Sequence, residues 1–212
     1  MNIFLIEETD DVAISLNVEE SHHCIKVLRM QKGQPIVMTD GKGFFYDGII
    51  ETADSKNTGV KILTRHRGAG KRDYYLHIAI APVKNIDRFE WFLEKATEIG
   101  IDEITPLVCH RSERREVKTD RLNKVIVSAM KQSLKAFLPR LNPAKSFIDF
   151  IALHHSSQKL MCSCYAPRNA LLKNEIKKDK DALILIGPEG DFTADEILMA
   201  EKNGFTQLTL GE

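Results

Sequence analysis

The spacing of hydrophobic positions changes character near residue 70. Before it, short runs rich in β-branched and aromatic residues recur: QPIVMT (Gln34 to Thr39), GFFYDGIIE (Gly43 to Glu51) and GVKILT (Gly59 to Thr64). Turn residues separate them, Asp40-Gly41-Lys42-Gly43 and then Asp54 to Asn57, so each run predicts a strand. One helix, from Glu19 to Met30, is expected ahead of them. It turns Ile25 and Leu28 inward and Lys26, Arg29 and Lys32 outward, and it stops at Gly33. Short strands with a single helix predict a small β-barrel. The segment Arg65 to Arg72 (RHRGAGKR) holds two glycines and no large apolar side chain, and predicts a linker.

Beyond Asp73, strands and helices alternate. Tyr74 to Ala81 predicts a buried strand. Asn85 to Gly100 predicts a helix, with Ile86, Phe89, Leu93 and Ala96 on one face and Gly100 past its end. Glu103 to Val108 is the next strand. Asp120 to Phe137 predicts an amphipathic helix with Leu122, Val125, Ala129, Ser133 and Phe137 on its stripe, closed by Pro139. Strands follow at Lys159 to Cys164 and at Ala182 to Ile186. A helix from Thr193 to Asn203 opens with the capping-box pair Thr193 and Glu196, and Gln207 to Leu210 is a last strand. This alternation predicts an α/β domain with a mostly parallel sheet covered by helices on both faces. The expected division is residues 1–70 and residues 71–212.

Composition narrows the class. The chain has 212 residues, 43% hydrophobic and 28% charged, which suits a globular protein with a real core. It lacks the run of about 18 apolar residues that a membrane span needs. The start, MNIFLIEETDD, turns acidic at once and does not read as a signal peptide. Cys24, Cys109, Cys162 and Cys164 fit free thiols in a reducing cytoplasm better than a zinc set, and His22 and His23 lack partners at metal spacing. No membrane and no metal are therefore expected. The net charge of zero hides a division: residues 111–145 carry ten Lys and Arg against three Asp and Glu, whereas residues 185–212 carry one against six. A basic face able to meet nucleic acid survives the balanced total.

Two stretches carry candidate chemistry. Ala182 to Asn203 reads as strand, tight loop (Gly187-Pro188-Glu189-Gly190-Asp191-Phe192) and capped helix, and ligands in α/β sheets sit beyond the carboxyl ends of strands. Glu189 and Asp191 would repel a phosphate there by about 1 kcal/mol or more at an effective dielectric near 20, so a neutral or cationic ligand fits better. In the second stretch, Lys84 and Arg88 follow one strand. His110, Arg111, Arg114 and Arg115 follow the next and could clamp a phosphodiester backbone. The like-charged pairs Glu94–Glu98 and Lys84–Arg88 show that helix stability alone does not explain this surface. Neither a nucleophile triad nor a dinucleotide or P-loop motif is present.

Four segments in order carry a resemblance across nearly the whole chain: HHCIKVLRMQKGQ, with an H…VLR…G pattern on His23, Val27, Leu28, Arg29 and Gly33; KNIDRFEWFLEKATEIGIDEITPLVCHRSER from Lys84; KQSLKAFLP from Lys131; and LIGPEGDFTADEI from Leu185, ending in LTLGE. The chain resembles the bacterial 16S ribosomal RNA uridine N3-methyltransferases, the RsmE group of the SPOUT superfamily. The resemblance implies an α/β SPOUT domain with a trefoil knot, preceded by a PUA-like β-barrel that holds RNA. It implies a homodimer acting on 16S rRNA of the small ribosomal subunit, with the RNA across both copies.

S-Adenosylmethionine would lie over Leu185, Ile186, Gly187, Pro188, Glu189 and Gly190 and beside Leu208, Leu210 and Gly211. Arg111 and Arg114 would stabilise the uracil anion, and Glu189 would orient the cofactor or accept a proton. RNA contacts would come from His23, Lys26, Arg29, Lys42, Arg65, Arg67, Lys84, Arg88, Arg111, Arg114, Arg115 and Gln132, with Lys71 and Arg72 adding positive charge. The sequence departs from the family pattern at Asp191, where glycine is usual, and at Lys131 and Lys135. The family pattern continues past Gly211-Glu212, so residues beyond them are expected to complete the pocket. The alternatives are a non-catalytic RNA-binding or ribosome-assembly factor and a SPOUT methyltransferase with another RNA target.

Overall fold

Alternating β-branched and polar residues between Pro35 and Arg67 build three antiparallel strands, to which two shorter ones add at the edges. In the computed structural model the described residues are 2–7, 9, 12–68, 71–152 and 158–210. They fall into two units, Met1–Lys71 with Val127–Leu138, and Arg72–Ile126 with Pro139–Glu212.

The first unit contains β1 (Ile3–Leu5), β2 (Ala13–Ser15), α1 (Val18–His22), β3 (Pro35–Thr39), β4 (Phe44–Thr52) and β5 (Gly59–Arg67). They form one sheet in the order β1-β3-β4-β5-β2, with β1 parallel to β3 and the other pairs antiparallel. Its core is Phe4, Leu16, Cys24, Ile36, Met38, Tyr46, Ile50 and Val60. The expected helix Glu19–Met30 is shorter and irregular. Asn17 caps α1 by accepting from the Glu20 N–H (2.8 Å), and the chain then widens into a π-type turn over His23–Val27. Arg29, in the left-handed region (φ 55°), ends it before Met30. The expected linker also begins too early. Arg65 and Arg67 pair with Tyr46 and Phe44 as the last rungs of β5, and the Arg65 guanidinium lies 4.0 Å from the Phe44 ring centroid. Polar cross-strand contacts, Thr64 and His66 to Asp47, replace the apolar alternation that marks a strand.

The second long helix of the chain, α3 (Thr119–Gln132), follows α2 (Ile86–Ile99) and also departs from expectation. It stops five residues short of Phe137. Leu134 adopts φ 55°, and the Lys135 N–H donates to the Met130 carbonyl (3.0 Å). The chain then runs antiparallel to the Asp40–Gly43 turn: the Gly43 N–H donates to Ala136 (2.9 Å) and the Leu138 N–H to Gly41 (2.7 Å). An apolar stripe cannot distinguish a last helical turn from a segment laid on a neighbouring turn. Gly43 (φ 115°) makes this approach possible, since a Cβ there would sit 2.7 Å from the Phe137 ring. We expect Gly43→Ala to cost about 1–3 kcal/mol in urea denaturation, from overpacking and backbone strain together.

The second unit is a parallel sheet of β6 (Leu76–Ile80), β7 (Glu103–Val108), β8 (Arg140–Leu141), β9 (Lys145–Ser146), β10 (Gln158–Cys162), β11 (Ala182–Ile186) and β12 (Thr206–Leu208). The order is β12-β10-β11-β6-β7-β8, with β9 also on β7. The remaining helices are α4 (Phe147–Ile151), α5 (Leu172–Glu175) and α6 (Ala194–Lys202). The run ALILI is apolar throughout because both faces are covered. Leu183 and Leu185 join Leu107, Phe147, Phe150, Phe192 and Phe205, whereas Ile184 and Ile186 join Leu160, Leu208 and Leu76. β10 begins one residue before the expected strand, and β12 ends two residues before Leu210. On α2, Lys95 lies between Glu94 (2.8 Å) and Glu98 (3.0 Å), which relieves that like-charged pair.

A polar network sits at the amino ends of β6 and β7. Glu103 accepts from Asn142 (2.5 Å) and Tyr75 (2.9 Å) and faces His77 (3.7 Å), whose ring also meets Thr105 (2.8 Å). Burial pushes the Glu103 carboxyl up, but Asn142, His77, Tyr75 and Arg140 outweigh it and leave it below its ordinary 4.5. Burial and Glu103 push Tyr75 up to about 12. A carboxyl with a depressed folded pKa stabilises the fold above its unfolded value, and that contribution is lost as pH falls through the folded value. Unfolding free energy measured from pH 5 downward is therefore expected to fall less steeply in Glu103→Gln than in the parent chain.

Candidate functional site

β6 and β11 are neighbours whose onward connections diverge. β6 leads to β7 on one side, and β11 leads to β12 beyond β10 on the other. Such a switch point opens a crevice at the carboxyl ends of the strands. The loop after β11 is shaped by its own residues. The Asp191 N–H donates to the Pro188 carbonyl (2.9 Å), closing a turn, and Phe192 is wholly buried against Phe147 (5.6 Å between centroids). A Cβ at Gly187 would meet the Phe192 ring at 3.0 Å, so glycine lets the loop fold tightly back against that ring. The capping box forms as expected: Thr193 accepts from the Glu196 N–H, and Glu196 accepts from the Thr193 N–H (2.8 Å). Glu196 also accepts from the His110 N–H (2.8 Å), which ties α6 to the loop after β7.

Three loops are cross-braced into a ring. Arg111, after β7, donates through Nη1 to the Gly190 carbonyl (2.7 Å) of the loop after β11. Arg114 donates to the Val83 (3.2 Å) and Lys84 (2.7 Å) carbonyls of the loop after β6. Glu189 accepts from the Lys84 N–H (2.9 Å), closing the ring. That N–H and the Glu189 N–H hold the Glu189 carboxyl below its usual range, with the charges of Arg88 and Lys84 adding to the effect. The side chain is a weakened base. The nearby thiols are poor nucleophiles at neutral pH: burial pushes Cys162 up to about 11 and raises Cys109 further.

The structure brings together Leu185, Ile186 and Leu208 of the expected cofactor set. Cys162 is in register with Ile186 on one side and Leu208 on the other, so the three strand ends lie abreast. Gly187 to Gly190 lie directly beyond them. Leu210 is exposed, and Gly211 lies outside the described residues. The residues at this crevice suit S-adenosylmethionine. Apolar strand ends can face an adenine, and the loop from Gly187 to Phe192 carries two carboxylates and no basic residue, which favours a cation over a phosphate. Sequence reasoning missed the loop after β10. Asp191 accepts from the Cys164 N–H (2.7 Å) and the Ser163 hydroxyl (3.2 Å), and the sequence signal for this was the departure at Asp191 from the pattern of the family it resembles.

The expected RNA contacts divide between the units. In the second, Lys84, Arg88, Arg111 and Arg115 are exposed, and Lys84, Arg114 and Arg115 line an open depression with Glu113 and Glu116. Lys84 pairs with Glu113 (3.1 Å). In the first unit, Lys26, Arg29, Lys42, Arg67 and Gln132 are exposed, Arg65 stacks as described, and the His23 ring packs edge-on to Phe4 (6.1 Å). Among the described residues, no group of three His, Cys, Asp or Glu side chains is placed to hold a metal, and no helix is long and apolar enough to cross a membrane.

Comparison with known proteins gives a consistent result. Residues 71–212 match the model of an RNA methyltransferase domain, and residues 16–63 that of an RNA methyltransferase PUA domain. The ribosomal RNA small subunit methyltransferase E of Mesomycoplasma hyopneumoniae is 26% identical over 99% of this chain and 90% of that protein. The Bacillus subtilis protein of the same name is 25% identical over 91% and 80%. A crystal structure of a probable rRNA-methyltransferase from Porphyromonas gingivalis superposes with TM-score 0.89 at 37% identity, covering 100% of this chain and 90% of that one. The fold is also that of the Neisseria gonorrhoeae methyltransferase E bound to S-adenosyl methionine (TM-score 0.86, 24% identity, 100% and 89% covered).

Proposed function

The chain belongs to the RNA methyltransferase family, with a PUA-like domain ahead of its α/β methyltransferase domain, and from that premise we propose that it methylates N3 of a uridine in 16S rRNA of the small ribosomal subunit, using S-adenosylmethionine. The observation that carries the reading is the braced ring of loops. It sets an acidic, glycine-containing loop over apolar strand ends and holds two arginines at its edge.

S-Adenosylmethionine, when bound, supplies an electrophilic methyl group on a sulfonium. Ile186, Leu208 and the backbone of Gly187 to Gly190 would hold it, with Glu189 favouring its positive charge. Uracil N3 carries a proton that would pass to solvent water before the nitrogen attacks the methyl carbon, the carbon–sulfur bond breaking as the new carbon–nitrogen bond forms. Arg111 and Arg114 would stabilise the resulting anion at its carbonyl oxygens. Arg111 braces the loop through Nη1, and a guanidinium carries five N–H donors, so its fork can serve both tasks. Glu189, fixed by the Lys84 N–H, would orient the cofactor. The target base has to be unpaired or unstacked, because N3 lies on the Watson–Crick edge. Exposed Lys26, Arg29, Lys42 and Arg67 would grip phosphates without reading sequence.

The reading includes a homodimer in the cytoplasm and a trefoil knot in the methyltransferase domain. Support for the knot comes from the segment between β10 and α5, bonded at both ends to the strand end: Ser163 N–H to Leu208, Thr209 N–H to Ala170, and Leu172 N–H to Thr209. The experiment incubates the protein with labelled S-adenosylmethionine and small subunits lacking the modification, followed by nucleoside mass spectrometry. The expected product is 3-methyluridine. Label in another nucleoside overturns the position. No label and no cofactor binding leave a non-catalytic RNA-binding factor.

A further inference from the structure

We propose that Asp191 is a positioning residue that ties the loop after β10 to the loop after β11 and so fixes the crevice in which S-adenosylmethionine is held. The inference rests on the methyltransferase reading above. Asp191 sits at φ 58°, a conformation that glycine adopts freely and other residues rarely. Its backbone alone would be better served by glycine, and the side chain is engaged on both oxygens. It gathers three donors: the Cys164 N–H (2.7 Å), the Phe192 N–H (2.7 Å) and the Ser163 hydroxyl (3.2 Å). Ser163 is buried and is itself the anchor of its loop. Its hydroxyl accepts from the Tyr165 N–H (3.1 Å), and its own N–H reaches the Leu208 carbonyl (3.0 Å) at the end of β12.

One carboxylate therefore joins the ends of three adjacent strands: β11 through its own loop, β10 through Ser163 and Cys164, and β12 through the Ser163 link to Leu208. These are the strand ends, Ile186, Cys162 and Leu208, that lie abreast under the proposed cofactor. With its acceptors engaged by the protein, Asp191 acts through the loops and not on the reacting atoms. Glycine relieves the backbone strain and leaves Ser163 and Cys164 untethered. Asparagine keeps an acceptor and tolerates the left-handed backbone, but turns an amide N–H₂ toward one of the donors.

The test compares Asp191→Gly and Asp191→Asn with the parent chain. S-Adenosylmethionine binding is measured by calorimetry, methylation by steady-state kinetics, and stability by thermal melting. We expect Asp191→Gly to stay folded and to melt within several degrees of the parent, since relief of backbone strain offsets part of the lost hydrogen bonding. Its Kd and KM for S-adenosylmethionine should rise about tenfold, with kcat and the KM for RNA within threefold. Asp191→Asn should fall between the two. Unchanged affinity in Asp191→Gly overturns the proposal, as does a loss of kcat at saturating cofactor. A parent chain that binds no S-adenosylmethionine overturns the methyltransferase reading instead. Amide hydrogen exchange at Cys164 then decides the tie: lost protection in Asp191→Gly supports it, and equal protection overturns it.

Discussion

Arg111→Ala is expected to lower kcat for methyl transfer about 10²–10³-fold, the usual effect of removing one preorganised stabiliser of developing charge. The protein should remain folded, because the Arg111 side chain is exposed and its bonds are to the loop carbonyls of Gly190 and Phe192. Two effects contribute to the loss. The positive charge beside the uracil anion disappears, and the loop after β11 loses its brace to the loop after β7. Arg111→Lys separates them. Lysine restores the charge but offers a compact ammonium in place of a planar fork, so it can approach a loop carbonyl or the base and not both with the same geometry. We expect Arg111→Lys to recover part of kcat while the KM for S-adenosylmethionine stays raised. Steady-state kinetics with both substrates varied, alongside thermal melting, check this. A variant whose kcat is unchanged would remove Arg111 from the charge-stabilising role and leave it a brace alone.

Much of this site was legible because it depends on side-chain type at fixed spacing. The ALILI strand, the glycine-containing loop and the Thr193–Glu196 capping box are local patterns, and they stand where the sequence placed them. The closing bonds were not legible, because they use backbone groups. The Lys84 N–H, the Val83 and Lys84 carbonyls and the Cys164 N–H have no letter in the sequence. Elements of two or three residues, such as β1, β2, β8 and β9, are too short to show a period. The early end of α3 was hidden for another reason. Phe137 continues the helical stripe by spacing, and only the turn at Asp40–Gly43 determines that Ala136 and Phe137 leave the helix to pack there. Arg65 was read as linker because its partner is an aromatic face, which confers no alternation.

Lys131 carries the second large expected effect. Lys131, on the last turn of α3, is ion-paired to Glu20 of α1, whose side chain is 7% exposed against 23% for Lys131. The other Glu20 oxygen, Oε2, is buried and has no hydrogen-bond partner among the described residues. The carboxylate therefore depends on the ammonium. Removing one member of a buried pair leaves a charge in a poor solvent, which typically costs about 3–5 kcal/mol. Lys131 is partly exposed, so Lys131→Met is expected near the lower end, about 3 kcal/mol in urea denaturation. The double variant Glu20→Met with Lys131→Met should return to within about 1 kcal/mol of the parent, because the desolvation cost leaves with the charges. If the double variant is as unstable as Lys131→Met alone, an uncompensated Glu20 charge is not what destabilises the single variant. Because the pair lies in the first unit and the braced loops in the second, Lys131→Met should leave the Kd for S-adenosylmethionine unchanged at temperatures where the protein is folded. Arg111→Ala should show the reverse pattern, with stability kept and chemistry lost.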